Sequence, residues 1–210
     1  MFPVLSFDEV NSLLPKRRSI PFDLYFGEMG IPAEDRRRRI RLANRFYEEL
    51  LAVFLLMFDM AQSGAINYEV IREETFEAYM RAMEGTIPES DLIDRAETYA
   101  EDFVRTTQEH EGEPYYFSED RLTFNSANEA EAMQNAVDYF DAFESDKKFK
   151  TWHTMEDEAV RETHADLDGA TLPIDSLFYV GDSVMRYPKD LEYNPSAHET
   201  VNCRCWITYI

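Results

Sequence analysis

Cysteine is almost absent: the chain of 210 residues has two, Cys203 and Cys205, one residue apart. That spacing excludes a disulfide framework and points to a reducing cytoplasm. Long apolar runs are missing as well. The longest, Leu50 to Phe58, falls far short of the roughly 20 residues a membrane-spanning helix needs, so no membrane is expected as a partner. Met1 to Pro21 lacks the basic start and apolar run of a secretory signal, and a soluble protein is expected. No Gly-rich phosphate loop, H-E-x-x-H motif, internal repeat or low-complexity segment is present. Positive charge is scarce too: 21 Lys and Arg stand against 42 Asp and Glu, a net charge of −21 at pH 7. Such a surface repels phosphate, which argues against strong nucleic-acid binding by the folded body.

What is there suffices for a packed protein: 44% of residues are apolar and 14% aromatic. The first 32 residues, broken by Pro3, Pro15, Pro21 and Pro32, read as an irregular arm that packs on its own body or on a neighbour. From Ala33 the spacing predicts a helix to about Gln62, with Leu42, Phe46, Leu50, Phe54 and Met57 on one face and Glu34 and Asp35 in the first turn. Its start carries a basic run, Arg36, Arg37, Arg38, Arg39 and Arg41. This is either a solvated face paired with nearby acids or a docking patch for an acidic partner or DNA phosphate. Further helices are predicted over Asn67 to Met83, from Ser90 or Asp91 to about Glu109, and from about Ser126 to Phe143, with Tyr115 to Phe117 as a short strand. The fold class expected is α+β: a mainly helical region over residues 1–115, then a small, loop-rich α+β domain over 116–210.

Scarce residues concentrate at the end of the chain. Both tryptophans, both cysteines and His153, His164 and His198 fall after Lys147. Asp157 to Ala165 reads as a helix that lines up Asp157, Val160, Arg161 and His164; Phe178 to Val180 and Trp206 to Ile210 read as strands, with an irregular loop between. In an extended segment the sulfurs of Cys203 and Cys205 would point to opposite faces, so both reach one ion only if the backbone kinks. With that kink, His164, Cys203 and Cys205, completed by His153 or His198, are a candidate structural zinc site. The plainer alternative is two small buried thiols beside a hydrogen-bonded histidine. A Cys–His nucleophile or a metal-dependent hydrolase or nuclease, built on His164, Asp157, Arg161 and Cys203, is the catalytic alternative, although no third group or oxyanion hole is evident.

The ordered series Lys150-Thr151-Trp152, Asp157, Val160-Arg161, His164, Asp168-Gly169, Phe178, Tyr187-Pro188, Glu199 and Asn202-Cys203-Arg204-Cys205 resembles the phage Mu F-like family, the minor head or head morphogenesis proteins of tailed bacteriophages. The resemblance covers roughly the last 90 residues, including Asn125 and Glu129 on the preceding helix. It marks Trp152, Asp157, Arg161, Asp168, Gly169, Asn202 and Arg204 as motif residues. It implies a structural virion component without enzymatic activity, made in the host bacterial cytoplasm and housed in the phage head. Partners implied are the portal and/or the major capsid protein and further copies of the chain in a homo-oligomer on the portal, with roles in head assembly, genome packaging or DNA delivery. An acidic effector that mimics nucleic acid is a third reading.

Overall fold

The computed structural model describes residues 22–210, so the part of the expected arm before Phe22 lies outside the described residues. A short helix α1 (Phe22–Tyr25) leads in, and Phe26, Met29 and Ile31 bury themselves against Ala43 of the next helix and Ala127 and Ala130 of a later one. This portion of the arm therefore packs on its own body.

Helix α2 (Ala33–Ser63) runs from Pro32 to Gly64, whose φ of 89° ends it in the left-handed conformation glycine adopts without strain. Its apolar face, Phe46, Leu50, Val53, Phe54 and Met57, is buried. Helix α3 (Tyr68–Met83) is capped by Asn67, whose side chain accepts from the amides of Glu69 (3.2 Å) and Val70 (3.3 Å). It packs on α2 and on α4 (Glu89–Glu109), while α5 (Glu119–Glu144) lies along the other side of α2. Alanines at 127, 130, 132, 136 and 142 let α5 approach its neighbours closely, and it buries residues on several faces.

Two boundaries differ from the sequence expectation. Tyr115 to Phe117 is no strand: Pro114–Phe117 form a 3-10 turn, begun by a proline whose fixed φ suits a helical start. Helix α5 begins at Glu119, seven residues before the expected Ser126, because the buried Ser118 hydroxyl caps it by accepting from the Arg121 amide at 3.3 Å.

Beyond α5 the chain makes an antiparallel three-stranded sheet in the order β2 (Thr171–Pro173), β1 (Phe149–His153), β5 (Trp206–Tyr209), with Trp152 opposite Ile207. A hairpin of β3 (Phe178–Val180) and β4 (Ser183–Met185) sits beside it, where a loop was expected in place of β4. The expected helix from Asp157 shrinks to α6 (Glu162–Ala165). Asp157 instead accepts from the Ala159 amide, a local bond that competes with helix formation, and the neighbouring Thr154 is held by Asp168. A last short helix, α7 (Ala197–Thr200), precedes the cysteines. One apolar cluster joins Phe46, Leu50 and Tyr79 of the helices to Trp152, Phe178 and Ile207, so packing crosses residue 115 without a break. The class is α+β, helical first and with a small sheet last.

A buried thiol–imidazole cluster as the candidate functional site

The chain reaches Cys203 through Asn202, held at a φ of 58°, and β5 starts only at Trp206. The turn puts both sulfurs on one side, the kink that shared ligation requires. His164, on α6, completes the group: its Nδ1 lies 3.3 Å from Cys205 Sγ and 3.6 Å from Cys203 Sγ. All three side chains are buried, and one donor atom from each lies within 4.8 Å of the others. Around a tetrahedral zinc, bond lengths of about 2.0 Å to nitrogen and 2.3 Å to sulfur give an N···S edge of about 3.5 Å. The observed spacings bracket that edge, so this donor set can hold such an ion.

The surroundings fix each donor. Glu199, buried at the start of α7, accepts from His164 Nε2 at 3.0 Å and from Thr163 Oγ1 at 2.9 Å. This leaves Nδ1 for the sulfurs, the carboxylate–histidine arrangement that orients metal ligands. Burial works against the charged form of Glu199, but hydrogen bonds from Thr163, His198 and His164 outweigh it and hold its pKa low. Burial likewise opposes protonation of His164, and contact with Cys203 and Glu199 overrides it, raising its pKa. Cys203 is pushed well below the usual thiol range, first by the hydrogen bond from Cys205 and then by His164, whereas that same bond and burial push Cys205 up. One thiolate is therefore already favoured, as metal ligation demands.

Other motif residues shape the frame. Trp152, fully buried, meets Phe178 edge-on at 5.1 Å and His164 at 5.8 Å. Asp168 accepts from the Thr154 amide (2.7 Å) and hydroxyl (3.0 Å), and Gly169, at a φ of 74°, donates to the Trp152 carbonyl. Asp157 accepts from Arg204 at 2.7 Å and Arg161 donates to the Val201 carbonyl, so both clamp the segment that carries the cysteines. A cavity of about 10 Å³ adjoins the cluster, room for a single water.

The structure does not bring His153 or His198 to the sulfurs. His153 bonds Thr208 at 2.8 Å and stacks on Trp206, while the exposed His198 reaches the other oxygen of Glu199. The basic run also divides. Arg37 and Arg41 pair with Glu34 and Arg38 approaches Asp138, but Arg39 is 1% exposed and cannot belong to a surface patch. It donates to Asn135 Oδ1 at 2.9 Å, and Asn135 donates to the Cys205 carbonyl at 3.1 Å, so this arginine braces the cysteine turn from α2. Sequence reasoning missed Asn135 in this role, and it assigned no partner to Glu199. An amide in an alanine-rich helix face was the signal for the first.

A family model described as Phage Mu protein F like protein matches residues 72–208, most of the chain. The chain belongs to that family. The match begins within α3, well before the last 90 residues in which the motif series lies, so the family's domain includes α4 and α5 as well as the sheet. No curated protein and no solved structure matches the chain. Membership makes this Mu F-like protein a phage head protein, and no helix among its described residues is long and apolar enough to cross a membrane.

Proposed function

We propose that this Mu F-like protein is a minor structural component of the phage head, acting in head assembly, genome packaging or DNA delivery through contacts with the portal or major capsid protein, and not as a catalyst. Zinc, held by His164, Cys203 and Cys205 and oriented through Glu199, is proposed as its structural staple. The observation that carries this reading is the closure of the cluster: the three donors are 2%, 2% and 3% exposed beside a cavity of about 10 Å³. A hydrolase built on Cys203 and His164 would need an open cleft over the thiolate, since substrate has to reach the nucleophile. A small sheet resting on a helical layer has clear use for a metal cross-link.

Cross-linking mass spectrometry of purified virions tests the placement. Peptides of this chain in mature heads, cross-linked to portal or capsid protein, are expected; absence from heads at every stage of assembly would sink the reading. Elemental analysis tests the staple: one zinc per chain in the wild type, lost together with thermal stability in a Cys203→Ser, Cys205→Ser double variant. Metal-free protein with an unchanged melting temperature would leave two buried thiols and no staple.

A further inference from the structure

A second cavity, of about 380 Å³, opens between α4, the 3-10 turn, α5 and the loop around Lys189 and Val201. Two of its lining side chains are arginines that folding has taken out of water, Arg121 at 5% exposure and Arg95 at 6%. Arg121 donates to the Thr107 hydroxyl (2.9 Å) and the carbonyls of Tyr116 (2.8 Å) and Phe103 (3.3 Å), and stacks on the rings of Phe103 and Tyr116. Arg95 donates to the Lys189 carbonyl at 2.9 Å. Arg95 has the Glu129 carboxylate and the Tyr187 and Tyr79 hydroxyls around it, whereas among the described residues no carboxylate acts on Arg121.

A buried cation without a counter-charge is costly, and chains ordinarily avoid it. Arg121 is such a cation, in a chain whose acids outnumber its bases 42 to 21. The half-buried carboxylate in the lining, Glu129, is occupied by Asn128 and Tyr79; desolvation raises its pKa, and Lys189 and Arg95 oppose the rise. The Tyr99 hydroxyl, also in the lining, is buried with no hydrogen-bond partner. Phe124 and Val201 supply partly exposed apolar surface at the same cavity.

We infer that this cavity binds a carboxylate carried on an aromatic or aliphatic body. The carboxylate supplies the charge Arg121 lacks and an acceptor for Tyr99, and the body lies against Phe124 and Val201. The inference is independent of the head-protein reading and of zinc.

Calorimetric titration of the unaltered chain with phenylacetate, against the neutral phenylacetamide of the same shape, tests it. Saturable binding of the acid is expected, with the amide roughly tenfold weaker or worse, because the charge-assisted contact is the feature removed. A tripeptide ending in a phenylalanine carboxylate identifies the source: tighter binding than phenylacetate means a terminus presented by a protein, and weaker binding means a free small acid. Val201→Trp, a change at a half-exposed position, should block binding while leaving the melting temperature in place. Equal affinity for acid and amide, no saturable binding of either acid at millimolar concentration, or full binding by V201W would each overturn the proposal.

Discussion

At Gly181, in the turn between β3 and β4, a side chain has nowhere to go. Its φ is 58°, and a Cβ would lie 2.7 Å from Glu199 Oε1 and 3.2 Å from Thr163 Cγ2, the two groups that orient His164. Gly181→Ala should lower stability by about 2 kcal/mol, from left-handed strain and from the clash together. It should also weaken retention of the proposed zinc by displacing Glu199. Urea unfolding and a chelator competition read the two effects, and an unchanged chelator profile would mean that Glu199 does not hold the histidine in place. Glu131 offers a pH test at the same scale. Burial raises its pKa from 4.5 to about 7; Lys189 and Arg39 oppose the rise, Cys203 adds to it, and its Oε1 has no partner. The folded state therefore binds a proton more tightly than the unfolded chain, and the stability this contributes is present below pH 4.5 and lost as pH rises toward 7. The loss amounts to about 3 kcal/mol at most. Glu131→Gln, neutral throughout, should flatten that part of the profile, and a variant whose urea midpoint falls with pH as steeply as the wild type would show that Glu131 is not the group titrating.

Among the elements, Ser118 does more than its place between two helical segments suggests. Its buried hydroxyl accepts from the Arg121 amide and donates to the Tyr115 carbonyl at 2.7 Å, so one side chain ends the 3-10 turn and starts α5. Ser118→Ala should cost about 1–2 kcal/mol in urea unfolding with helix content nearly intact, and a cost within error of zero would mean that Glu119 and Asp120 begin α5 unaided. This start illustrates which parts of the fold the sequence makes legible. Helices α2, α3 and α4 are readable because proline and glycine punctuate them and their apolar residues repeat at helical spacing. The start of α5 is not, because the aromatic run Tyr115-Tyr116-Phe117 has the composition of a strand while tertiary contacts coil it. Residues 154–161 mislead in the opposite direction: their helical spacing is real, yet Asp157 turns back onto the local backbone and onto Arg204. At the site, the donor types His164, Cys203 and Cys205 are legible from their scarcity. The bracing of the cysteine turn by Arg39 through Asn135 is not, since those residues meet across 96 positions of chain.

Across the whole molecule the dominant electrostatic fact is the net charge of −21. The exposed pairs, such as Arg37 with Glu34 and Arg105 with Asp102, are of the kind worth about 1 kcal/mol at most, and 21 Lys and Arg cannot neutralise 42 Asp and Glu. Self-repulsion among the surplus acids acts over the whole surface, and added salt, with a Debye length of about 10 Å at 0.1 M, screens it. The contacts that join the helical layer to the C-terminal part are different in kind: Lys189 with Glu131 and Asn135 with the Cys205 carbonyl are buried and little touched by mobile ions. Salt therefore weakens the repulsion and spares the buried polar layer, so the melting temperature should rise with sodium chloride between low ionic strength and about 0.5 M. Differential scanning calorimetry at a fixed pH of 7.5, with the metal content held constant, reads this directly. A melting temperature that falls with salt would mean that the surface ion pairs outweigh the repulsion, and that the acid excess is spread too thinly to oppose the fold.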